Sequence, residues 1–329
     1  MCYTYAHMKI GVVGSGGLGS YFGGLLARTG HDVVFIARGE HLQALRARGL
    51  AVHSVHGDFT LDSVRATDWP EDVGAVDLVL FTVKTYDTDA AAELMRPLVD
   101  ERTAILPLQN GVEAPERLSA FFDRAATLGG AAWVVSSVAA PGVIRQESQF
   151  RRIVLGELDG RDSLRVRAIR DTLAESGATA EVSLDIRAVL WMKLLFIASY
   201  SGIASVIRTT AGPLLADAGA LAMLERAVRE ADTVARARGI ALDVDAAEKT
   251  MAFILALAPN ATPSMQRDVV AGRHLEYDAL NGAVVRAGRA AGVPTPVHEF
   301  LWTCLRVIDS MAATAARQRR EPAAQEGAR

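Results

Sequence analysis

A lysine inside an apolar segment is the first residue whose position predicts chemistry. Lys193 lies in WMKLLFIASYSG, residues 191–202, and the apolar residues on nearly every side of it predict a buried helix. A buried ammonium group must reach solvent, join a structural ion pair or face a cavity. Because burial lowers the pKa of a lysine, one that faces a cavity can donate a proton near neutral pH.

The scarcity of lysine supports this interpretation. The chain has 35 lysine and arginine residues, and only Lys9, Lys84, Lys193 and Lys249 are lysines. Lysine can give up a proton, whereas arginine keeps its charge at every ordinary pH. Lys84 and Lys193 are therefore candidates for positions where arginine could not serve.

A glycine-rich turn provides the candidate cofactor site. The sequence GSGGLG follows a strand pattern, MKIGVV, and precedes a helix pattern, which is the context that a dinucleotide-binding turn requires. In such a turn the first glycine permits a tight bend, the second admits a pyrophosphate and the third allows close packing. The residues predicted to bind the cofactor are Gly14, Ser15, Gly16, Gly17, Leu18 and Gly19.

Residues at the ends of three predicted strands extend this site. The second strand ends at Arg38, which can pair with a 2′-phosphate and so favours NADP(H), while Glu40 leaves NAD open. Lys84 and Asn110 follow two later strands, and ligands of open α/β sheets bind outside these carboxyl ends. Both side chains are predicted to line the cofactor crevice, the alternative being that they satisfy local backbone groups. A nicotinamide enzyme that reduces a carbonyl also needs a proton donor, and Lys193 fits that role.

The order of patterns predicts two domains. Strands alternate with helices up to about residue 184, which predicts a doubly wound, Rossmann-type α/β domain over residues 8–184. Helical patterns alone follow, predicting an all-α domain over residues 185–315. Residues 1–7 and 316–329 are expected to be disordered extensions.

Composition excludes several classes of partner. The net charge of −3 does not favour nucleic acid or an anionic membrane, and no apolar run reaches the length of about 20 residues that spans a bilayer. Two cysteines, Cys2 and Cys304, cannot form a disulfide framework or a metal site, so a cytoplasmic protein is expected. The partner is predicted to be a small molecule, and a homodimer stays open.

These segments together resemble the ketopantoate reductase (2-dehydropantoate 2-reductase) family. The resemblance is carried by GSGGLG, Val83-Lys84, QNG at 109–111, W-x-K at 191–193 and SMQRDVVAGRHLEYDALNG at 264–282. It implies an NADPH-binding Rossmann domain, a helical domain like that of 6-phosphogluconate dehydrogenase, and reduction of a 2-keto acid to a 2-hydroxy acid. It also implies that Lys193 is the general acid and that Glu276 holds the substrate hydroxyl. Lys84 and Asn110 would line the crevice, and Ser264 would contact the substrate carboxylate. Without the resemblance, Ser264 reads as a loop residue after a proline, and Glu276 and Asp278 as residues that open a helix.

One departure from the family bears on the substrate. The family has asparagines four and eight residues after the lysine, whereas this chain has Ile197 and Ser201. We therefore expect a reductase for a 2-keto acid more apolar than ketopantoate, because a pocket that recognises hydroxyl groups needs hydrogen-bonding side chains. A genuine 2-dehydropantoate 2-reductase of pantothenate biosynthesis, in which Ser201 and a water replace the amides, is the first alternative. A non-catalytic NADP(H)-binding sensor is the second, although it would not need a proton donor.

Overall fold

The chain forms two compact units. The computed structural model describes the backbone of residues 7–326 and the side chains of residues 7–314. One unit holds the chain up to Gln109 together with Glu113–Leu190, and the other holds Asn110–Val112 and the chain from Trp191 onward. The division therefore falls six residues after the position near 184 given by the sequence patterns.

The first unit is built around a parallel sheet. The strand order is β5-β2-β1-β6-β7, and every pairing in it is parallel. The elements of this unit, in chain order, are β1 (Lys9–Val13), α1 (Gly17–Arg28), β2 (Asp32–Ile36), α2 (Gly39–Arg48), β3 (Leu50–Ser54), β4 (Phe59–Leu61), β5 (Arg65–Thr67), β6 (Leu78–Phe81), α3 (Thr88–Leu94), β7 (Ala104–Pro107), α4 (Ala114–Leu118), β8 (Leu128–Ala140), β9 (Val143–Glu157), α5 (Leu164–Glu175) and β10 (Thr179–Val182).

Hydrophobic residues cover both faces of this sheet. In β6, Leu78 and Leu80 belong to one buried cluster, while Val79 and Phe81 belong to another. Alternate residues of a strand point to opposite faces, so the continuous apolar pattern of β6 reflects burial on both. The carboxyl ends of β1, β2 and β6 therefore lie along one edge, where the predicted cofactor residues follow them.

A second sheet lies in the same unit. Its order is β10-β9-β3-β4, and β8 pairs with β9 as a long antiparallel hairpin. These strands form a sheet separate from the parallel one, whereas the sequence patterns predict a single doubly wound sheet. The sequence patterns predict no strand at β3, β4 or β5, because these short segments lack the continuous apolar run that marks β1, β2 and β6.

In its described residues, the regular secondary structure of the second unit consists of helices, with no strands. Its elements are α6 (Ile186–Ile207), which begins in the first unit, α7 (Ala211–Ala216), α8 (Ala218–Ala237), α9 (Ala246–Leu255), α10 (Ser264–Val270), a π turn (Asp278–Gly282), α11 (Ala283–Ala291) and α12 (Pro296–Glu326). The fold class predicted from the sequence, a Rossmann-type α/β domain followed by an all-α domain, is confirmed. The π turn was not predicted, since it differs from an α turn by one residue.

Two sequence expectations differ from the structure at the helices. Among the described residues, α6 is long and apolar enough to cross a membrane, with a mean hydropathy of 1.6, but 72% of that segment is buried in the protein. A count of consecutive apolar residues does not detect this helix, because Lys193 interrupts its apolar sequence. The helix α12 continues to Glu326, where a disordered tail from residue 316 is expected; residues 1–6 and 327–329 lie outside the described residues.

Candidate active site

The glycine turn between β1 and α1 has the shape that a pyrophosphate requires. Gly14 has a φ of 96°, and a Cβ on it would lie 2.5 Å from the Val83 nitrogen. A Cβ on Gly19 would lie 2.4 Å from the Gly14 carbonyl oxygen. A Cβ on Gly16, in contrast, would meet nothing within 4 Å. Gly14 and Gly19 thus hold the turn closed, and Gly16 leaves open space beside the start of α1, which fits a dinucleotide phosphate.

Two hydroxyl groups hold this turn against the neighbouring strands. The Ser15 hydroxyl donates to the Ile36 carbonyl at 3.0 Å, at the end of β2. The Thr82 hydroxyl donates to the Gly14 carbonyl at 2.8 Å, just after β6. Ser15, predicted to bind the cofactor, therefore uses its side chain to fix the turn, which leaves its backbone as the part able to face a ligand. Thr82 was missed because a single threonine after a strand carries no sequence signal.

Arg38 lies two residues after β2, which ends earlier than the predicted strand, and occupies the N-cap position of α2. Its Nη2 lies 2.8 Å from Asp87 Oδ2, and its side chain is 84% exposed. Glu40 lies in the first turn of α2. A cation so accessible can exchange a surface carboxylate for a phosphate at little cost, because exposed ion pairs contribute about 0–1 kcal/mol.

Lys84 is held beside the glycine turn by its own loop. It precedes a short 3₁₀ turn, Thr85–Asp87, and follows Val83, whose backbone contacts Gly14. The buried Gln109 donates from Nε2 to the Val83 carbonyl and to the Thr88 hydroxyl, both at 2.9 Å. Gln109 therefore joins the loop after β7 to the loop that carries Lys84. The only sequence signal for this role was its place in the QNG motif.

In the helical unit, Lys193 lies on α6 and keeps part of its surface accessible. Burial lowers the pKa of Lys193 to about 8, and the nearby Glu276 carboxylate raises it in opposition. The result is an ammonium group that titrates close to physiological pH, which is the property a proton donor needs. The predicted burial of this helix is confirmed by Leu194 and Leu195, which have no exposed surface.

Glu276 is positioned by the segment that precedes it. Asp309 of α12 accepts hydrogen bonds from the Leu275 amide at 2.9 Å and pairs with His274 at 2.8 Å. Asp268 pairs with Arg273 at 2.7 Å. Glu276 itself is 6% exposed and immediately precedes the helical run that begins at Tyr277 and continues through the π turn into α11. This agrees with the expectation that Glu276 and Asp278 open a helix, since Asp278 lies in the first turn of that run.

Asn110 belongs to the helical unit, together with Gly111 and Val112. Gly111 has a φ of 94°, and a Cβ on it would lie 2.7 Å from the carbonyl oxygen of Ala279 in the π turn. Asn110 is therefore placed close to the turn that follows Glu276. Ser264 is the first residue of α10 rather than a loop residue, and Pro263, in extended conformation, occupies the N-cap position before it.

The two residues that depart from the family pattern differ in exposure. Ile197, one turn after Lys193, keeps accessible surface, whereas Ser201 is fully buried. The Ser201 hydroxyl has no hydrogen-bond partner among the described residues. The Ser201 side chain, which was expected to contact the substrate, has no accessible surface because the helical unit encloses it. The group that α6 offers beside Lys193 is therefore a branched alkyl chain.

Comparison with known proteins agrees with this arrangement. The profile of the ketopantoate reductase PanE/ApbA family matches residues 10–160, and that of its C-terminal domain matches residues 185–309. The chain is 31% identical to the uncharacterized oxidoreductase YkpB of Bacillus subtilis over 307 residues, 92% of this chain and 99% of that protein. It is 30% identical to the 2-dehydropantoate 2-reductase of Mesorhizobium japonicum over 320 residues, 91% of this chain and 97% of that enzyme.

A solved structure of similar fold comes from Ralstonia eutropha. This PanE/ApbA family ketopantoate reductase superposes with a TM-score of 0.86 at 32% identity, over 93% of this chain and all of that one. The two profile matches together span most of the described chain, and they include the glycine turn, Lys84, Asn110, Lys193 and Glu276. The chain therefore belongs to the ketopantoate reductase family of NADP-dependent oxidoreductases.

Proposed function

We propose that this protein reduces a 2-keto acid to the 2-hydroxy acid with NADPH, and that Lys193 donates the proton. The observation that carries the proposal is the position of Lys193 on α6, where burial lowers its pKa to about 8 beside Glu276. A carbonyl that receives a hydride develops negative charge on its oxygen, and a nearby ammonium group stabilises and then protonates it. The reduced nicotinamide supplies the hydride when it is bound.

The remaining residues have supporting roles in this proposal. The turn Gly14–Gly19 holds the pyrophosphate, and Arg38 recognises the 2′-phosphate by exchanging its partner Asp87 for it. Lys84, beside the glycine turn, contacts the cofactor, and Asn110, near the π turn, contacts the substrate. Glu276 orients the substrate and keeps Lys193 protonated, since its carboxylate opposes the effect of burial. Ser264 contacts the substrate carboxylate. We place the reaction in the cytoplasm.

We further propose that the substrate is more apolar than ketopantoate. Ile197 is the partly exposed residue one turn after Lys193, and its side chain cannot hydrogen-bond to a hydroxyl. A pocket that binds a hydroxyl through amide groups rejects analogues that lack the hydroxyl, whereas an apolar wall favours them. A branched 2-keto acid without a hydroxyl group is therefore the favoured class.

The second candidate is 2-dehydropantoate 2-reductase itself. It is favoured by the names of relatives such as the enzyme of Mesorhizobium japonicum, which is similar over almost its whole length. In that case a residue other than Ser201 would bind the substrate hydroxyl, because Ser201 is buried. The sensor hypothesis has less support, since a sensor has no use for a lysine whose pKa lies near neutrality.

A matched pair of substrates tests these proposals. Ketopantoate and trimethylpyruvate differ only by one hydroxyl group, and NADPH oxidation by absorbance gives kcat/KM for each. We expect the wild-type protein to prefer trimethylpyruvate by at least about ten-fold, and Ile197→Asn to reverse the preference. Ile197→Val is the control and should keep the wild-type order. A wild-type preference for ketopantoate would establish the second candidate, and activity that survives in Lys193→Ala would refute the role of the lysine.

A further inference from the structure

The π turn after Glu276 contains a buried asparagine that joins it to α6. Asn281 has no exposed surface, and its Nδ2 donates to the Ala198 carbonyl oxygen at 3.0 Å. Ala198 lies five residues after Lys193, and Asn281 lies five residues after Glu276. The bond therefore connects the two segments that carry the proposed proton donor and its carboxylate. A π turn has poorer geometry than an α turn and occurs most often at functional sites.

His298 provides the second partner of this asparagine. Its Nδ1 lies 3.1 Å from Asn281 Nδ2, and its Nε2 lies 2.9 Å from the Ala227 carbonyl of α8. A carbonyl can only accept, so Nε2 carries the hydrogen and Nδ1 accepts from the asparagine amide. Burial lowers the pKa of His298 to about 4, so the ring is neutral at physiological pH. Both amide hydrogens of Asn281 are thus used, and its orientation is fixed.

The surroundings hold this pair in place from two further sides. The Glu230 carboxylate of α8 accepts from the backbone amides of Val297 and His298 at 3.0 and 3.2 Å, which fixes the start of α12. On α6, a Cβ on Gly202 would lie 2.8 Å from Asn281 Nδ2. Glycine inside a helix costs about 0.5–1 kcal/mol relative to alanine, and the close approach of Asn281 accounts for its presence.

We propose that Asn281 and His298 are positioning residues that set the distance between Glu276 and Lys193. The inference rests on the proposed function, because it gives this distance a catalytic purpose. The contacts form a chain: the Ala227 carbonyl of α8 accepts from His298, and His298 orients Asn281. Asn281 then binds the π turn to α6 at Ala198, five residues after Lys193. If the pair is lost, the π turn can slide along α6, and the carboxylate moves relative to the ammonium group.

The scarcity of lysine permits a test that does not depend on turnover. Pulsed acetylation at a series of pH values, read by peptide mass spectrometry, reports the pKa of each of the four lysines. The Glu276→Gln variant reports the pKa of Lys193 in the absence of the carboxylate. This pKa should lie below that of the wild-type protein, because Glu276 raises the Lys193 pKa. Lys9 and Lys249 serve as internal references in every sample.

Two variants disturb the pair, one conservative variant should restore it, and one is a control. In His298→Leu the acceptor for Asn281 is lost, and in Gly202→Ala the new methyl group displaces the asparagine. We expect both to lower the Lys193 pKa toward the Glu276→Gln value. We also expect kcat to fall about ten-fold or more, with the NADPH KM unchanged. His298→Asn retains an acceptor near the Nδ1 position and should restore both quantities. Val234→Ala removes a buried side chain outside the pair and should leave the pKa unchanged.

The outcomes separate this inference from the proposed function. A shifted Lys193 pKa in a protein that reduces no 2-keto acid would keep the positioning role and refute the function. A wild-type pKa and kcat in folded His298→Leu and Gly202→Ala, with keto acid reduction intact, would overturn the inference alone. If Gly202→Ala does not fold, His298→Leu decides by the same two quantities, because it disturbs the same pair without adding a methyl group.

Discussion

At Lys193, burial and the Glu276 carboxylate act in opposite directions on one ammonium group. Burial favours the neutral amine, whereas the carboxylate favours the charged form, and the balance lowers the pKa to about 8. An arginine in this place would stay charged and could stabilise an oxyanion, but it could not transfer a proton. Position 193 therefore requires lysine for proton transfer, whereas the apolar residues around it in α6 serve packing.

The pH dependence of turnover follows from this balance. Reduction needs Lys193 protonated, so kcat/KM should be constant at lower pH and fall about ten-fold per pH unit above about 8. The reverse reaction needs the neutral amine and should rise through the same pH. Steady-state rates in both directions test the expectation. Lys193→Arg should lower kcat about 10²–10⁴-fold and should abolish the fall of kcat/KM above a pH of about 8. If the variant keeps that fall, a group other than Lys193 causes it.

The choice of cofactor is argued at Arg38. Its partner Asp87 competes with a 2′-phosphate for the guanidinium group, so the two residues should act in opposite directions on the same affinity. We expect Arg38→Gln to raise the NADPH KM about ten-fold or more and to leave the NADH KM nearly unchanged. Asp87→Asn should lower the NADPH KM. Equal effects on both cofactors would place Arg38 outside the phosphate site.

For single residues, the sequence predicts which side chains could take part in the reaction, but not which groups they hydrogen-bond to. Lys193 could be chosen because an isolated cation in an apolar helix is costly, and the cost is visible in the sequence itself. The roles of Gln109 and Asp309 could not be found, since each depends on a backbone group distant in the chain. Ser201 was assigned to the site from its spacing after Lys193, yet spacing alone cannot distinguish the accessible part of a helical face from the enclosed part.

Among the elements, the turn between β1 and α1 gives the clearest pair of variants. Gly16→Ala meets no neighbour, so the protein should fold with unchanged thermal stability, while the NADPH Kd rises because the methyl group occupies the cradle. Gly19→Ala meets the Gly14 carbonyl at 2.4 Å and should lower the melting temperature by several degrees. Thermal melts and fluorescence titration with NADPH measure the two quantities. A Gly16→Ala protein that binds NADPH normally would show that the phosphates lie elsewhere.

Elements differed in how clearly the apolar pattern of the sequence marks them. The segment from β1 through α1 to β2 was recovered, because burial on both faces gives continuous apolar runs separated by glycine turns. In the second sheet, the segments of β8, β9 and β10 were predicted as strands, whereas the short strands β3 and β4 were not. The π turn left no signal, since its sequence DALNG is equally compatible with an α-helix.

For the whole molecule, cofactor binding should stabilise the two units unequally. The glycine turn and Arg38 belong to the first unit, so NADPH at 100 times its Kd should add about 2.7 kcal/mol to the stability of the binding-competent state. Hydrogen exchange with mass spectrometry locates the effect. We expect slower exchange at residues 14–19 and 83–87 and little change in α8, with Gly16→Ala as the control. Protection centred on α8 instead would contradict the assignment of the cofactor to the first unit.

The π turn has a consequence for the spacing of residues in related chains. A π turn contains one residue more than an α turn, and each residue of an α-helix advances the chain by about 100° around the axis. Deleting one residue between Tyr277 and Ala283 would turn Asp278–Gly282 into an α turn, so that Glu276 would rotate by about 100° relative to α11. The number of residues from the carboxylate to α11 is thus a functional distance, and a relative with a one-residue gap there should have moved its carboxylate or lost the reaction.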